Sequence, residues 1–159
     1  MSAAQAGFQR AILGLNGAGM DSTIVRLALD AGRGRPIELV GVHVIEVDWS
    51  HALTEDLASS SDVPQRILDG AEAACEVARV PMATVLLQAR EVGPALVDEA
   101  VQRDADLIIL GLPYRRRLGG DFDQGRTVPY VLANSPMAVW VIREPQPEEA
   151  MPVTTGNDS

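Results

Sequence analysis

The stretch Leu107-Ile108-Ile109-Leu110-Gly111-Leu112-Pro113-Tyr114 decides the fold. Four successive apolar residues with no polar alternation do not suit a sheet with one wet face. They suit a strand covered on both faces, as in a parallel sheet between helices. Gly111 and Pro113 then end the run. Four more runs have the same character: Ala11–Leu15, Leu39–Ile45, Val85–Leu87 and Ala138–Ile142. Between the runs the period changes. From Gln65 to Arg79, the residues Ile67, Leu68, Ala71, Ala74, Cys75 and Ala78 fall on one helical stripe. Val97, Ala100 and Val101 do the same after Gly93-Pro94, with the proline where a first helical turn tolerates it. Ile24, Ala28 and Ala31 repeat the spacing after Asp21-Ser22, which reads as an N-cap pair. Alternation of strand and helix to the end gives an α/β protein, an open parallel sheet with right-handed crossovers.

Periodicity fails in two places. Asp48 to Asp62 is a polar connector containing Ser59-Ser60-Ser61, expected as a surface loop. Residues 144–159 carry Pro145, Pro147 and Pro152 and then TTGNDS, too little apolar surface to order a chain. The expected folded unit is therefore residues 8–143, followed by a disordered acidic, proline-containing tail over 144–159. Composition excludes several functions. A net charge of -9, from 13 basic and 22 acidic side chains, repels a phosphate backbone, so general nucleic-acid binding is not expected. The single cysteine, Cys75, rules out an internal disulfide and a multi-cysteine metal site. No run approaches the ~20 apolar residues of a membrane helix. MSAAQAGFQR lacks the basic start and apolar core of a signal peptide, so a cytoplasmic location is expected.

In open parallel sheets, ligands bind beyond the carboxyl ends of the strands, where the strand order reverses. Two strand exits here are rich in glycine. One runs from Leu15-Asn16-Gly17-Ala18-Gly19 to Ser22, the other from Gly111 to Gly125-Arg126-Thr127. A glycine turn feeding a helix start presents free amides and the positive end of the helix dipole, which favours a phosphate. Arg115, Arg116, Arg117 and Arg126 crowd the second loop of an otherwise acidic chain. Guanidinium forks match phosphate oxygens in pairs. A solvated turn explains the same residues without a ligand.

With those residues the chain resembles the universal stress protein family over 8–143. The likeness is carried by Leu15-Asn16-Gly17, Val42-His43-Val44-Ile45, Gly93-Pro94-Ala95, Asp104 to Gly111, and Asn134-Ser135-Pro136-Met137-Ala138-Val139-Trp140-Val141-Ile142. The resemblance implies five parallel strands in the order 3-2-1-4-5 with helices on both faces, the adenine-nucleotide α-hydrolase-like arrangement, which brings both glycine loops to one cleft. ATP-binding members carry Gly, two residues, Gly, nine residues, then Gly before Ser or Thr. Gly111 matches the first glycine, Tyr114 stands at the second, and Gly125-Arg126-Thr127 closes the motif one residue late. By resemblance, Asn16 and Gly17 end strand one beside the adenine, with the backbone of Val44 next to them. Arg115, Arg126 and Thr127 then supply charge and a hydroxyl to the phosphates. The implied ligand is ATP or another adenine nucleotide, with magnesium on its phosphates, in a regulatory or stress-adaptation role. The implied assembly is a homodimer through the last strand. The second loop is also similar to variants in stress-protein domains attached to amino-acid transporters, which points to a transporter or signalling protein as partner.

Other constellations are weaker. Gly17-Ala18-Gly19-Met20-Asp21-Ser22 is similar to the loop of the ATP pyrophosphatases, the best enzyme alternative, with two signature positions changed. A dimeric interaction module that has lost its nucleotide is the competing non-enzyme reading. Asp121 and Asp123 suggest half of a calcium loop, but the twelfth position is Leu132. His43 reads as a hydrogen-bonded strand residue, His51 as a loop residue without a partner, Cys75 as core and Trp140 as packing. With no nucleophile and base in sequence, no catalytic residue is assigned, and ATP turnover is expected to be absent or very slow.

Overall fold

A computed structural model describes residues 7–57, 61–115 and 124–147. Five strands, β1 Arg10–Gly14, β2 Glu38–Glu46, β3 Met82–Ala89, β4 Leu107–Leu112 and β5 Ala138–Arg143, alternate with α1 Met20–Ala31, α2 Val63–Val77, α3 Val92–Gln102 and α4 Thr127–Asn134. The strands are all parallel in the order β3-β2-β1-β4-β5. The apolar run Leu107–Leu110 lies inside the sheet, between β1 and β5. Leu107, Ile108, Ile109 and Leu110 are all buried, Leu107 and Ile109 towards α1 and α2, Ile108 and Leu110 towards α3 and α4. Two cores thus flank one sheet, which is why the run lacks polar alternation.

Local departures from expectation have physical causes. β3 extends well beyond Val85–Leu87, because Thr84 and Gln88 join its ladder with β2. As an outer strand β3 is only half-buried, and polar residues are tolerated there. α2 buries Leu68, Ala71 and Cys75, while Ala74 and Ala78 face outward. Gly19, not Asp21, sits at the N-cap of α1, and Asp21 lies in the first turn. Trp140 stacks edge-on to Phe8, ring centres 5.8 Å apart, and stays 38% exposed. The connector after β2 is pinned: the Leu57 amide donates to Gln88 Oε1 at 2.9 Å, and His51 finds a partner in Glu55 at 2.8 Å. Residues Ser59, Ser60, Arg116, Arg117, Asp121 and Asp123 and the chain from 148 onward lie outside the described residues. The start of the expected tail does not hang free. Glu144 donates its amide to the Leu112 carbonyl at 2.8 Å, continuing the β4–β5 ladder.

Candidate functional site

β1 and β4 are neighbours, yet their chains leave in opposite directions, β1 into α1 on one face and β4 towards α4 on the other. A crevice opens where they part. It holds a cavity of about 240 Å³, walled by the exits of β1 (Gly14, Leu15, Asn16), β2 (Val42, His43, Val44) and β4 (Leu110 to Pro113), the first turn of α4 and Leu96 of α3. Of the residues expected at a site, Asn16, Val44, Gly111, Arg115, Gly125, Arg126 and Thr127 line this cleft. Gly17 and Tyr114 do not.

The first loop is organised by Asp21. Its carboxylate accepts the amide of Asn16 at 3.1 Å and that of Gly17 at 2.7 Å, while Asn16 Oδ1 accepts the Ala18 amide at 2.9 Å. Gly17 adopts φ +84, the left-handed backbone this reversal requires. An acid in the first helical turn suits the dipole, but here it is spent on the preceding loop. Amides that a pyrophosphate would need are therefore held by the protein's own carboxylate. With its carbonyl engaged, Asn16 is left with its NH₂ group as donor.

His43 was legible only as a hydrogen-bonded strand residue. It is half-buried, lies 2.7 Å through Nδ1 from the Leu15 carbonyl, and lines the cleft. A carbonyl only accepts, so Nδ1 carries a proton and donates it to Leu15.

The second loop divides labour between its glycines. A Cβ on Gly111 would lie 2.9 Å from Met20 Cβ and 3.0 Å from Ile24 Cδ1. Its missing side chain admits α1, while its backbone faces the cleft. A Cβ added to Gly125 would meet nothing within 4 Å, but its φ is +64, so glycine is required there by conformation. It leads into Arg126, the N-cap of α4, whose side chain makes no capping bond. Thr127 and Val128 open the helix and both line the cleft; Pro129 has no amide. The start of α4, where backbone amides lack helical partners, thus borders the cavity beside a guanidinium. Arg126 reaches across the mouth to Glu46 at the end of β2, Nη2 to Oε1 3.2 Å. Glu46 carried no signal in sequence, because nothing local marks a residue 80 positions from its partner.

Tyr114 turns away from the cavity. Arg143 lies over its ring at 5.4 Å, and its hydroxyl accepts from Gln146 Nε2 at 3.0 Å. The side chain at the second glycine position thus packs on the segment after β5. Perturbed carboxyls lie elsewhere: the Ser50 hydroxyl holds Asp48, and His51 holds Glu55, below the usual carboxylate range. Burial pushes the Cys75 thiol up, as suits an inert core residue. No group of three metal-ligating side chains occurs among the described residues.

The model of the universal stress protein family matches residues 7–143. The chain belongs to this family. Solved structures with the same fold include the universal stress protein of Archaeoglobus fulgidus, 19% identical, TM-score 0.67, with 84% of this chain and 98% of that one covered. A second structure of that protein, in complex with dAMP, is 18% identical at TM-score 0.63, covering 84% and 97%. A universal stress protein family protein from Arabidopsis thaliana with AMP bound is 12% identical at TM-score 0.62, covering 91% and 97%. Among curated proteins, none matches the chain. No helix among the described residues is long and apolar enough to cross a membrane.

Proposed function

We propose that this universal stress protein binds an adenine nucleotide in the cleft between β1 and β4, with ATP as the expected ligand, and acts as a nucleotide-dependent regulator. One observation carries the reading. The cleft joins a hydrogen-bonding end (Asn16, His43, the Val44 backbone) to a phosphate-type end (Gly125, Arg126, Thr127). An adenine edge suits the first end. Helix-start amides and a guanidinium suit phosphate at the second. The dAMP and AMP bound by proteins of the same fold support this choice of ligand. Magnesium would arrive on the phosphates of ATP, since the cleft offers no cluster of metal ligands among the described residues. Among the described residues the chain's groups bind and orient, and none is placed as a nucleophile with a base, so the reading is one of binding and not of catalysis. The occupied amides of Asn16 and Gly17 count against a pyrophosphatase.

A second reading has one observation in its favour. Arg126 is already paired with Glu46, as in an interaction module that no longer needs a nucleotide. In either case the expected assembly is a homodimer through β5, an outer strand with Ala138 and Trp140 exposed, and the expected partner a transporter or signalling protein. Native mass spectrometry of freshly purified protein, followed by thermal melts with adenosine, AMP and ATP, tests the nucleotide reading. A ligand bound only by the folded state raises the melting temperature. No co-purified nucleotide and no shift with any of the three would leave the interaction module.

A further inference from the structure

We infer that Glu46 grades the affinity of the cleft by phosphate charge, acting as a built-in competitor for Arg126. This rests on the nucleotide reading above and adds a specificity-determining residue to it. Arg126 forms the boundary between two hollows. One is the main cleft. The other, about 330 Å³, shares Val92, Arg126 and Thr127 with it and is completed by Glu46, Glu91 and Tyr130. The cation at the boundary therefore has helix-start amides on one side and two carboxylates on the other. Its guanidinium is held by Glu46 at 3.2 Å.

A phosphate arriving at the start of α4 must win Arg126 from that carboxylate. Each further phosphate adds negative charge in reach of Glu46, and of Glu91, which lies at the start of α3. Charges within a Debye length, about 8 Å at physiological salt, still interact. The penalty rises with phosphate number and vanishes for a nucleoside. Arg126 thus attracts the first phosphate, while Glu46 limits what the rest contribute. The pair is exposed, with side-chain accessibilities of 83% and 47%, so Glu46→Gln leaves the core untouched.

The experiment is calorimetric titration of the parent and Glu46→Gln proteins with adenosine, AMP and ATP at fixed salt without added magnesium, repeated at high salt. From exposed-pair magnitudes, we expect adenosine to bind both alike, AMP to tighten about twofold in the variant, and ATP about fivefold. High salt should shrink both gains. An ATP-to-AMP affinity ratio unchanged by the substitution, with both nucleotides binding, overturns the role of Glu46 and leaves the site intact. Equal tightening of adenosine also overturns it, because the effect would then be one of shape. If neither protein binds any of the three, the nucleotide reading fails and this inference falls with it.

Discussion

Removing Arg126 should weaken nucleotide binding by an amount set by two opposed interactions. The perturbation is Arg126→Ala, at the N-cap of an eight-residue helix that no side chain caps. A charge-assisted hydrogen bond to phosphate contributes roughly 1.5–3 kcal/mol when well formed. The exposure of this guanidinium puts the gain at the lower end of that range. Against it stands the pair with Glu46, which binding must break and which, as an exposed pair, contributes under about 1 kcal/mol. The exchange therefore nets about 0.5–1.5 kcal/mol, which at tenfold per ~1.4 kcal/mol is about 2- to 12-fold in Kd. The amides of Thr127 and Val128 remain, so binding is reduced and not abolished. The assay is calorimetric titration with ATP at fixed salt, with adenosine as control and circular dichroism to confirm folding. Unchanged ATP affinity would mean that phosphate does not lie at the start of α4. Equal loss for adenosine and ATP would mean that Arg126 acts by holding the loop.

Three further outcomes are expected. Gly111→Ala places a Cβ against Met20 and Ile24, so it should destabilise the fold by about 1–3 kcal/mol through overpacking, read as a lower melting temperature. Tyr114→Gly restores the family's glycine but touches no wall of the cleft. ATP affinity should stay within about threefold, while tryptic cleavage after Arg143 quickens as the Arg143 and Gln146 contacts are lost. Asp48 and Glu55 have carboxyl pKa values depressed by Ser50 and His51, so their support of the loop after β2 is full at neutral pH and lost as pH falls below the usual carboxylate range. Trp49, under Arg90 at 4.5 Å in that loop, should report this by its emission in a Trp140→Phe background. Emission unchanged as pH falls through the carboxylate range would contradict it.

What could be read in the sequence follows from burial. β1, β2 and β4 are inner strands covered on both faces, so their continuous apolar runs declared them. β3 has a neighbour on one side only, and its polar Thr84 and Gln88 hid its true length. The place of the cleft was legible as well, because it depends on connectivity, and both glycine-rich exits were visible. Roles within it were not. Gly111 and Gly125 look alike in sequence, but one makes room for α1 and the other supplies a left-handed turn. Asp21 looked like a cap because an acid before a helix usually is one; its carboxylate instead closes the loop behind it. The packing of Tyr114 was hidden because its partners lie about thirty residues on, after β5.

Net charge and local charge lead to opposite expectations here, and distance decides between them. A net charge of -9 argues against any polyanion approaching the surface at large. Screening confines that repulsion to about 8 Å at physiological salt, so a ligand already in the cleft responds mainly to the groups around it. Those groups include the opening amides of α4, Arg126 and Arg115, set against Glu46 and Glu91. A short anion can be held by such a set, because helix-start amides act within the first turn. A long polyphosphate or a nucleic-acid strand would extend beyond these groups and meet the repulsion of the net charge. The expectation against nucleic acid drawn from composition and the proposed phosphate end of the cleft are therefore compatible, and Glu46 stands at the acidic limit of that end.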